Sequence, residues 1–475
     1  MKKLLLFTLS TAVLMFSSCG DDTMDKINKD NHHPTAEIVS ARLQLSEAIM
    51  STAFSTVSGD YAFYTSSLTE QLVGSGNNQL MKAELRQSVE LAASTTFNNV
   101  WGSTYSNLMN LQQMIDKVEG DIASSGGQLD ILGAAQLLKV INIGYLTDMH
   151  GDVPYSEALQ GSEVMQPNLD SQQNIYADMM STLDKAISNL SQSSGKNLAE
   201  QDILFHGNIN QWLASAYAIK ARYLIHQSKV NSGAISQAKE AAKKAFELGF
   251  SGMDLKEFNG VTCDNPWSAF IWSRYYTASS THVTDLMVGD DPRYEYYNGD
   301  TAVAPGDEKS AKESTWGDYP LYYDLGSQPV HIMGVAELYF ILAEAQLRTG
   351  EDATEAFQAG VAYSIDEQAS WLGDDADGAT YAATLGTPTL KEVFEQKYIA
   401  LAVDGQPETY TDIRRMRAMG EDYIVLTNPY NNQSGINRWP EVLPYGNSSV
   451  TSNPTIAAIY GDGTYVYSTK AWLFK

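Results

Sequence analysis

Twelve aromatic residues fall within positions 261–323, nearly a fifth of that segment against 10% of the whole chain. Trp267 and Trp272 lie five apart, with Asn265, Arg274, Tyr275 and Tyr276 beside them, and Trp316 sits with Asp318 and Tyr319. Nearer the N-terminus, Asp60-Tyr61-Ala62-Phe63-Tyr64 adds rings, and Gly74-Ser75-Gly76-Asn77-Asn78-Gln79 adds amides. Flat apolar rings suit the C–H face of a pyranose, and amides, carboxylates and guanidinium groups suit its hydroxyls. Trp267, Trp272, Tyr275, Tyr276, Trp316, Tyr64, Asn77, Asn265 and Arg274 are therefore the expected ligand contacts. The competing reading is that long loops need local cores, so such rings pack inward.

Catalytic chemistry has less to stand on. A glycosidase needs two carboxyl groups flanking the scissile bond. With 57 acidic residues, chance pairs are unavoidable, and Asp290-Asp291 and Asp374-Asp375-Ala376-Asp377-Gly378 are the densest. Asp290-Asp291 precedes Pro292 in a turn. The Asp374–Gly378 run has the composition of a calcium loop but lacks the downstream glutamate of an EF-hand, so a solvated acidic loop is the better reading. His32-His33, His150, His206, His226, His282 and His331 form no metal or triad signature, and no Gly-x-Ser-x-Gly or phosphate-binding loop occurs. No catalytic residue, no metal ligand and no obligatory cofactor is expected.

Composition sets the compartment and the class of partner. Residues 1–18 have the charged start, apolar middle and small-residue end of a signal peptide, and the apolar run is too short to span a membrane. Ser17-Ser18-Cys19 resembles a lipobox, which makes Cys19 the lipidated N-terminus and residues 19–33 a polar tether. The net charge is −26, and near −28 without Lys2 and Lys3. Such a surface repels phosphate backbones, so nucleic acid is disfavoured, whereas a neutral sugar loses nothing to the field. With Cys19 acylated, Cys263 stands alone, no internal disulfide is possible, and Cys263 reads as a structural thiol.

Helical periodicity dominates the rest. Pro34-Thr35-Ala36-Glu37 opens a helix turning Ile38, Leu45 and Ile49 inward, and Trp101–Val118 carries an apolar stripe. Residues 129–149 are apolar on most faces, which predicts a buried helix ended by Gly151 and Pro154. Ser171 caps the next. Paired helices follow at 208–228 with 233–248, 334–349 with 352–368, and 389–403 with 408–419. The small-and-aromatic pattern of Ala336, Tyr339, Ala343, Gly350, Ala353, Ala356 and Phe357 approximates a tetratricopeptide repeat. The expected organisation is one domain over 34–475: a helical scaffold at 34–250 and 330–420, an aromatic loop-rich insertion at 251–329, and a proline-rich closing segment at 421–475 that is also loop-rich.

Several strings, in order, resemble the SusD/RagB family of nutrient-binding outer-membrane lipoproteins. They are the lipobox at Cys19, Tyr145-Leu-Thr-Asp-Met-His-Gly-Asp-Val-Pro-Tyr155, Lys220-Ala221-Arg222-Tyr223 and Asp290-Asp291-Pro292-Arg293. Further along come Glu395-Gln-Lys-Tyr-Ile-Ala-Leu-Ala-Val-Asp-Gly405 with Asp412-Ile-Arg-Arg415, then Arg438-Trp-Pro440 and Leu443-Pro-Tyr-Gly-Asn-Ser448. The resemblance implies a mainly α fold of four tetratricopeptide-like hairpins under a loop-rich ligand face, with the 74–79 loop and the aromatic insertion on one side. It implies an outer-membrane, cell-surface lipoprotein that binds an oligosaccharide, or in some relatives a peptide, and serves a SusC-like TonB-dependent transporter without catalysis. No binding residue carries over from the family. A lipid-anchored glycoside hydrolase is the alternative from another class. The receptor of an ABC importer is a third, but it alternates strands and helices in two lobes, a pattern not seen here.

Overall fold

The computed structural model describes residues 40–74, 79–86, 91–125, 128–274, 277–306, 317–427 and 438–475. Cys19, the tether and Pro34–Ile38 lie outside the described residues. The first described helix, Ala41–Ser51, buries Leu45 and Ile49 as its periodicity predicts. It runs into a π-helical turn, Thr52–Val57, that nothing in the sequence announces. The turn faces a buried polar cluster: Asn142 Nδ2 donates to Thr52 Oγ1 at 2.8 Å, and Thr56 Oγ1 donates to Asn142 Oδ1 at 2.8 Å.

The frame is a stack of helical hairpins. Asn98–Ser125 packs on Leu129–His150, which packs on Gln172–Ser191; Ile209–His226 pairs with Ala234–Glu247, and Val335–Arg348 with Thr354–Leu372. Leu390–Ala400 and Gln406–Met419 close the series. Ser171 caps as expected, its Oγ accepting from Asn174 N, and Thr389 forms a capping box with Glu392. Leu129–His150 is long and apolar enough to cross a membrane, yet it is buried in the protein, so its apolarity serves the core. Glycine lets its neighbours close in: a Cβ on Gly144 would lie 2.1 Å from the Tyr223 hydroxyl.

What holds the hairpins in register is ionic. Arg222 makes a two-pronged pair with Glu337, both bonds at 2.6 Å. Glu408 accepts from His226 Nε2 and Lys397 Nζ, each at 2.9 Å. Lys397 also meets Asp412 at 2.7 Å, and Arg415 bridges Asp412 to Glu344. All these side chains are at most 5% exposed. The Lys220–Tyr223 and Asp412–Arg415 strings are thereby accounted for as scaffold. Burial opposes the charge on His226, but Glu408 and Asp148 outweigh it and raise the imidazole to about 9.

The insertion is thin by contrast; among the described residues the fold has three two-stranded antiparallel ladders, β1 (Leu72–Gly74) with β5 (Thr277–Ser279), β2 (Val153–Pro154) with β3 (Leu169–Asp170), and β4 (Met253–Leu255) with β6 (Val330–Met333). The closing segment corrects the expectation of a second loop-rich face with short strands. Among its described residues it carries short helices, Asn447–Ser452 and Pro454–Tyr460, and straps the scaffold. Trp439 Nε1 donates to Leu68 O at 2.8 Å, Tyr410 Oη donates to Pro440 O at 2.6 Å, and Leu443 N donates to Met149 O at 2.8 Å. Pro440 has no backbone donor to offer, yet its carbonyl still ties the segment down through Tyr410.

Glu408→Ala leaves Arg222, His226 and Lys397 facing each other without their shared anion, and should cost about 3–5 kcal/mol. Urea unfolding followed by circular dichroism checks it; a loss below about 1 kcal/mol would show the network to be dispensable.

Candidate functional site

The β1–β5 ladder joins the two segments that carry the candidate ligand residues. Leu72 pairs with Ser279, Val73 with Ala278 and Gly74 with Thr277, so the chain leaves β1 directly opposite the point where it enters β5. The ladder thus ties Gly74 to Thr277 at the start of β5, and residues 75–78 lie outside the described residues. Asn77, Tyr275, Tyr276 and Trp316 themselves lie outside the described residues.

Three of the expected contacts turn inward, and the ligand expectation for them is corrected. Trp267 is completely buried, edge-on to Phe63 at 4.9 Å and stacked on Tyr323 at 5.4 Å, while Phe63 stacks on Phe270 at 4.1 Å. Asn265 caps the Pro266–Ser273 helix, accepting from Trp267 N at 2.8 Å and donating to Gln328 O at 2.9 Å. Tyr64 is buried against Phe97. Tyr64 belongs to the Asp60–Leu68 helix and faces the scaffold core; for Trp267 and Asn265 the reason is that an insertion of short strands and short helices has no long apolar face of its own. Its rings must supply the core. Tyr296, Tyr297, Tyr319, Tyr322 and Tyr323 do likewise. The signal was present, because Asn-Pro before an aromatic-rich stretch is a helix start.

Trp272 and Arg274 remain at the surface. Trp272 is half-buried and Arg274 exposed, its guanidinium donating to the neighbouring Ser273 carbonyl. A Cβ on Gly326 would lie 3.0 Å from Trp272 Cη2 and 3.4 Å from Asp264 Oδ1, so ring edge and carboxylate converge over one glycine. Asp264 Oδ1 is buried and has no hydrogen-bond partner. The part-exposed Trp272 ring and, two residues on, the exposed Arg274 are of the kinds that a sugar's C–H face and hydroxyls require; the buried Asp264 oxygen is closed to solvent.

Beneath the ladder lies a polar knot that sequence reasoning missed. Glu84 accepts from Gly74 N at 3.0 Å and from Gly306 N, tying the end of β1 to the insertion. Glu70 accepts from Thr427 N at 2.8 Å and meets His282 Nδ1 at 3.1 Å, and Arg86 Nη2 donates to Thr427 O at 2.8 Å. Glu70 and Arg86 both hold left-handed backbone, φ 59° and 54°, a strain on the order of 1 kcal/mol or more each that the surrounding bonds maintain. No sequence pattern marks a glutamate or an arginine for that conformation. Burial pushes the Glu84 carboxyl up to about 8 against the pull of the Gly306 and Gly74 amides.

The acidic pairs are spent on structure. Asp291 grips Arg293 through Nε at 3.0 Å and Nη2 at 2.7 Å, both side chains buried. Asp374 accepts the Tyr296 hydroxyl, and Asp377 caps the Gly378–Thr384 helix. A cleft of about 790 Å³ lies elsewhere, on the scaffold, lined by Gln112, Asp116, Lys139, Tyr155, Asp170 and Asp178 among others. Its one large ring, Tyr155, is buried and held by Asp178 at 2.6 Å, so it offers no stacking face.

A family model described as SusD-like, "Starch-binding associating with outer membrane", matches residues 37–436. The chain belongs to the SusD/RagB family. A SusD/RagB family protein from Bacteroides thetaiotaomicron is 32% identical with a TM-score of 0.78, covering 92% of this chain and 99% of that one. A SusD homologue from Bacteroides fragilis shares the fold at 21% identity, TM-score 0.71, covering 92% of this chain and 100% of its own. A chitin-binding SusD homologue from Flavobacterium johnsoniae does so at 19% identity, TM-score 0.69, covering 91% and 98%. Comparison with curated protein sequences finds no match. The mainly helical SusD-like architecture expected from the resemblance is the one observed.

Glu84 gives the knot a measurable signature. Between pH ~4.5 and about 8 the folded chain keeps a proton that the unfolded chain has released, so this group makes stability fall as pH rises through that window. Glu84→Gln removes the slope. The urea midpoint of wild type minus variant should shift downward between pH 5 and pH 8.5, and an equal difference at both would contradict the assignment.

Proposed function

We propose that this SusD/RagB protein is a lipid-anchored outer-membrane receptor, attached through Cys19 and facing the cell exterior. It captures an oligosaccharide and passes it to a SusC-like TonB-dependent transporter. The observation that carries the glycan reading is the part-exposed Trp272 ring with the exposed Arg274, just ahead of β5 in the chain. The family description and the chitin-binding relative support the ligand class. Binding without cleavage is supported by the structural employment of Asp291, Asp374 and Asp377, each occupied by a guanidinium, a phenol or a helix terminus.

The energetics suit a receptor that must let go. An aromatic contact at a partly wet site contributes about 0.5–1.5 kcal/mol. A few such contacts, less the loss of translational freedom, leave a micromolar or weaker complex. A net charge of −26 steers neutral glycans no worse than water does while turning away polyanions.

Affinity gel electrophoresis over a panel of starch, chitin oligosaccharides and plant and host polysaccharides tests the reading. Wild type should be retarded by at least one neutral glycan, with Trp272→Ala about tenfold weaker and Trp267→Phe, a core change, unaltered in affinity. Reducing ends released from the panel, or equal retardation of wild type and Trp272→Ala, would overturn it.

A further inference from the structure

A second polar site lies where the insertion rejoins the scaffold, and the glycan reading makes no use of it. β4 and β6 pair with a register irregularity at Met253/Asp254 that sets Asp254 opposite His331; such irregularities re-aim side chains. Asp254 Oδ1 lies 2.7 Å from His331 Nδ1, and Asp404 Oδ2 accepts from the His331 backbone N–H at 2.8 Å. On the far side of the ring, His331 Nε2 stands 3.5 Å from Glu367 Oε2. That is too long for a good hydrogen bond, and Nε2 is buried without a hydrogen-bond partner. Trp371 stacks on the imidazole at 5.8 Å and fixes its plane.

Charge and space agree. Asp254, Glu367 and Asp404 bring three carboxylates around one imidazole. The other cation paired here is Lys256, 3.8 Å from Asp254 and mostly exposed. Next door, by contrast, Glu337, Glu344, Glu408 and Asp412 each face an arginine or a lysine. His331, Glu367 and Asp404 line a small cavity of about 30 Å³, the size of one water or one ion, and Arg222 on the same wall is already neutralised by its two bonds to Glu337. Ligand atoms of Asp254, His331 and Glu367 all lie within 4.8 Å of one another. Two ligands on one tetrahedral ion at about 2.0–2.2 Å stand roughly 3.4 Å apart, close to the observed spacing of Nε2 and Oε2.

We propose that His331 and Glu367, with Asp254 and Asp404 around them, form a binding site for one divalent transition-metal ion, zinc by preference. Nitrogen with carboxylate oxygen at tetrahedral spacing favours zinc over calcium, which takes six to eight oxygens. Asp254 accepts the Nδ1 proton and leaves Nε2 as the ligand, the carboxylate–histidine–metal arrangement. Glu367 supplies an oxygen ligand and water completes the shell, while Asp404 holds the His331 backbone N–H. The ion is structural here: it pins β4 and β6 to the Thr354–Leu372 helix and to the loop before Gln406, fixing the base of the insertion. This assignment stands whether or not the chain binds a glycan.

The test uses the full mature chain, stripped with a chelator and titrated with Zn²⁺ and with Co²⁺. Expected are one zinc per chain by equilibrium dialysis with elemental analysis, a melting temperature that rises with zinc, and visible Co²⁺ absorption of tetrahedral strength without thiolate bands. His331→Gln and Glu367→Gln should each weaken binding at least tenfold. If His331→Gln fails to fold, Glu367→Gln and the Co²⁺ spectrum of wild type still decide. Substoichiometric zinc in the wild type, or unchanged affinity in Glu367→Gln, would mean an imidazolium bridging two carboxylates and no metal site.

Discussion

A charged group taken out of water must find its counter-charge at once, and that constraint organises this fold. Glu408 sits at the meeting point of Ile209–His226, Leu390–Ala400 and its own helix, accepting from His226 and Lys397 while Arg222 stands 3.8 Å away. Through Arg222 the network reaches Glu337 on Val335–Arg348, and through His226 it reaches Asp148 at the end of Leu129–His150. Apolar packing alone would let stacked hairpins slide, since one row of alanines fits another. Paired charges allow one register. The acidic surface follows from composition instead, 57 acidic residues against 31 lysines and arginines, because the network buries Glu337, Glu344, Glu408 and Asp412 together with their cationic partners.

That frame lets a thin insertion be precise. Short ladders are marginal by themselves, yet β1–β5 sits above Glu84, Glu70 and Arg86, whose bonds to Gly74, Gly306 and Thr427 tie three distant stretches of chain together. Two residues held in left-handed backbone measure how firmly the surroundings dictate the geometry there. The closing strap adds to this from behind, with Trp439 bonded to the carbonyl of Leu68, at the end of the helix that precedes the knot.

Much of the scaffold was legible because a helix writes its buried face at three- and four-residue steps, and its ends in residues such as Ser171, Asn208 and Thr389. The aromatic insertion was harder. An exposed stacking ring and a local core ring have the same composition, and only the partner distinguishes them: Trp267 has Phe63 and Tyr323, brought from elsewhere in the chain, while Trp272 keeps an open flank. The π-helical turn at Thr52–Val57, the strained Glu70 and Arg86, and the His331 cluster depend on contacts far apart in sequence, so no local pattern could reveal them. Asp290-Asp291-Pro292-Arg293 shows the middle case, where the turn was visible and the buried Asp291–Arg293 pair inside it was not.

A crystal structure of the chain soaked with the glycan that it retains best would test the account most directly. Sugar density against Trp272 with a hydroxyl on Arg274, and the glycosidic bonds whole, is the predicted result. Sugar seated in the scaffold cleft beside Tyr155 and Asp178, with the Trp272 flank bare, would contradict it.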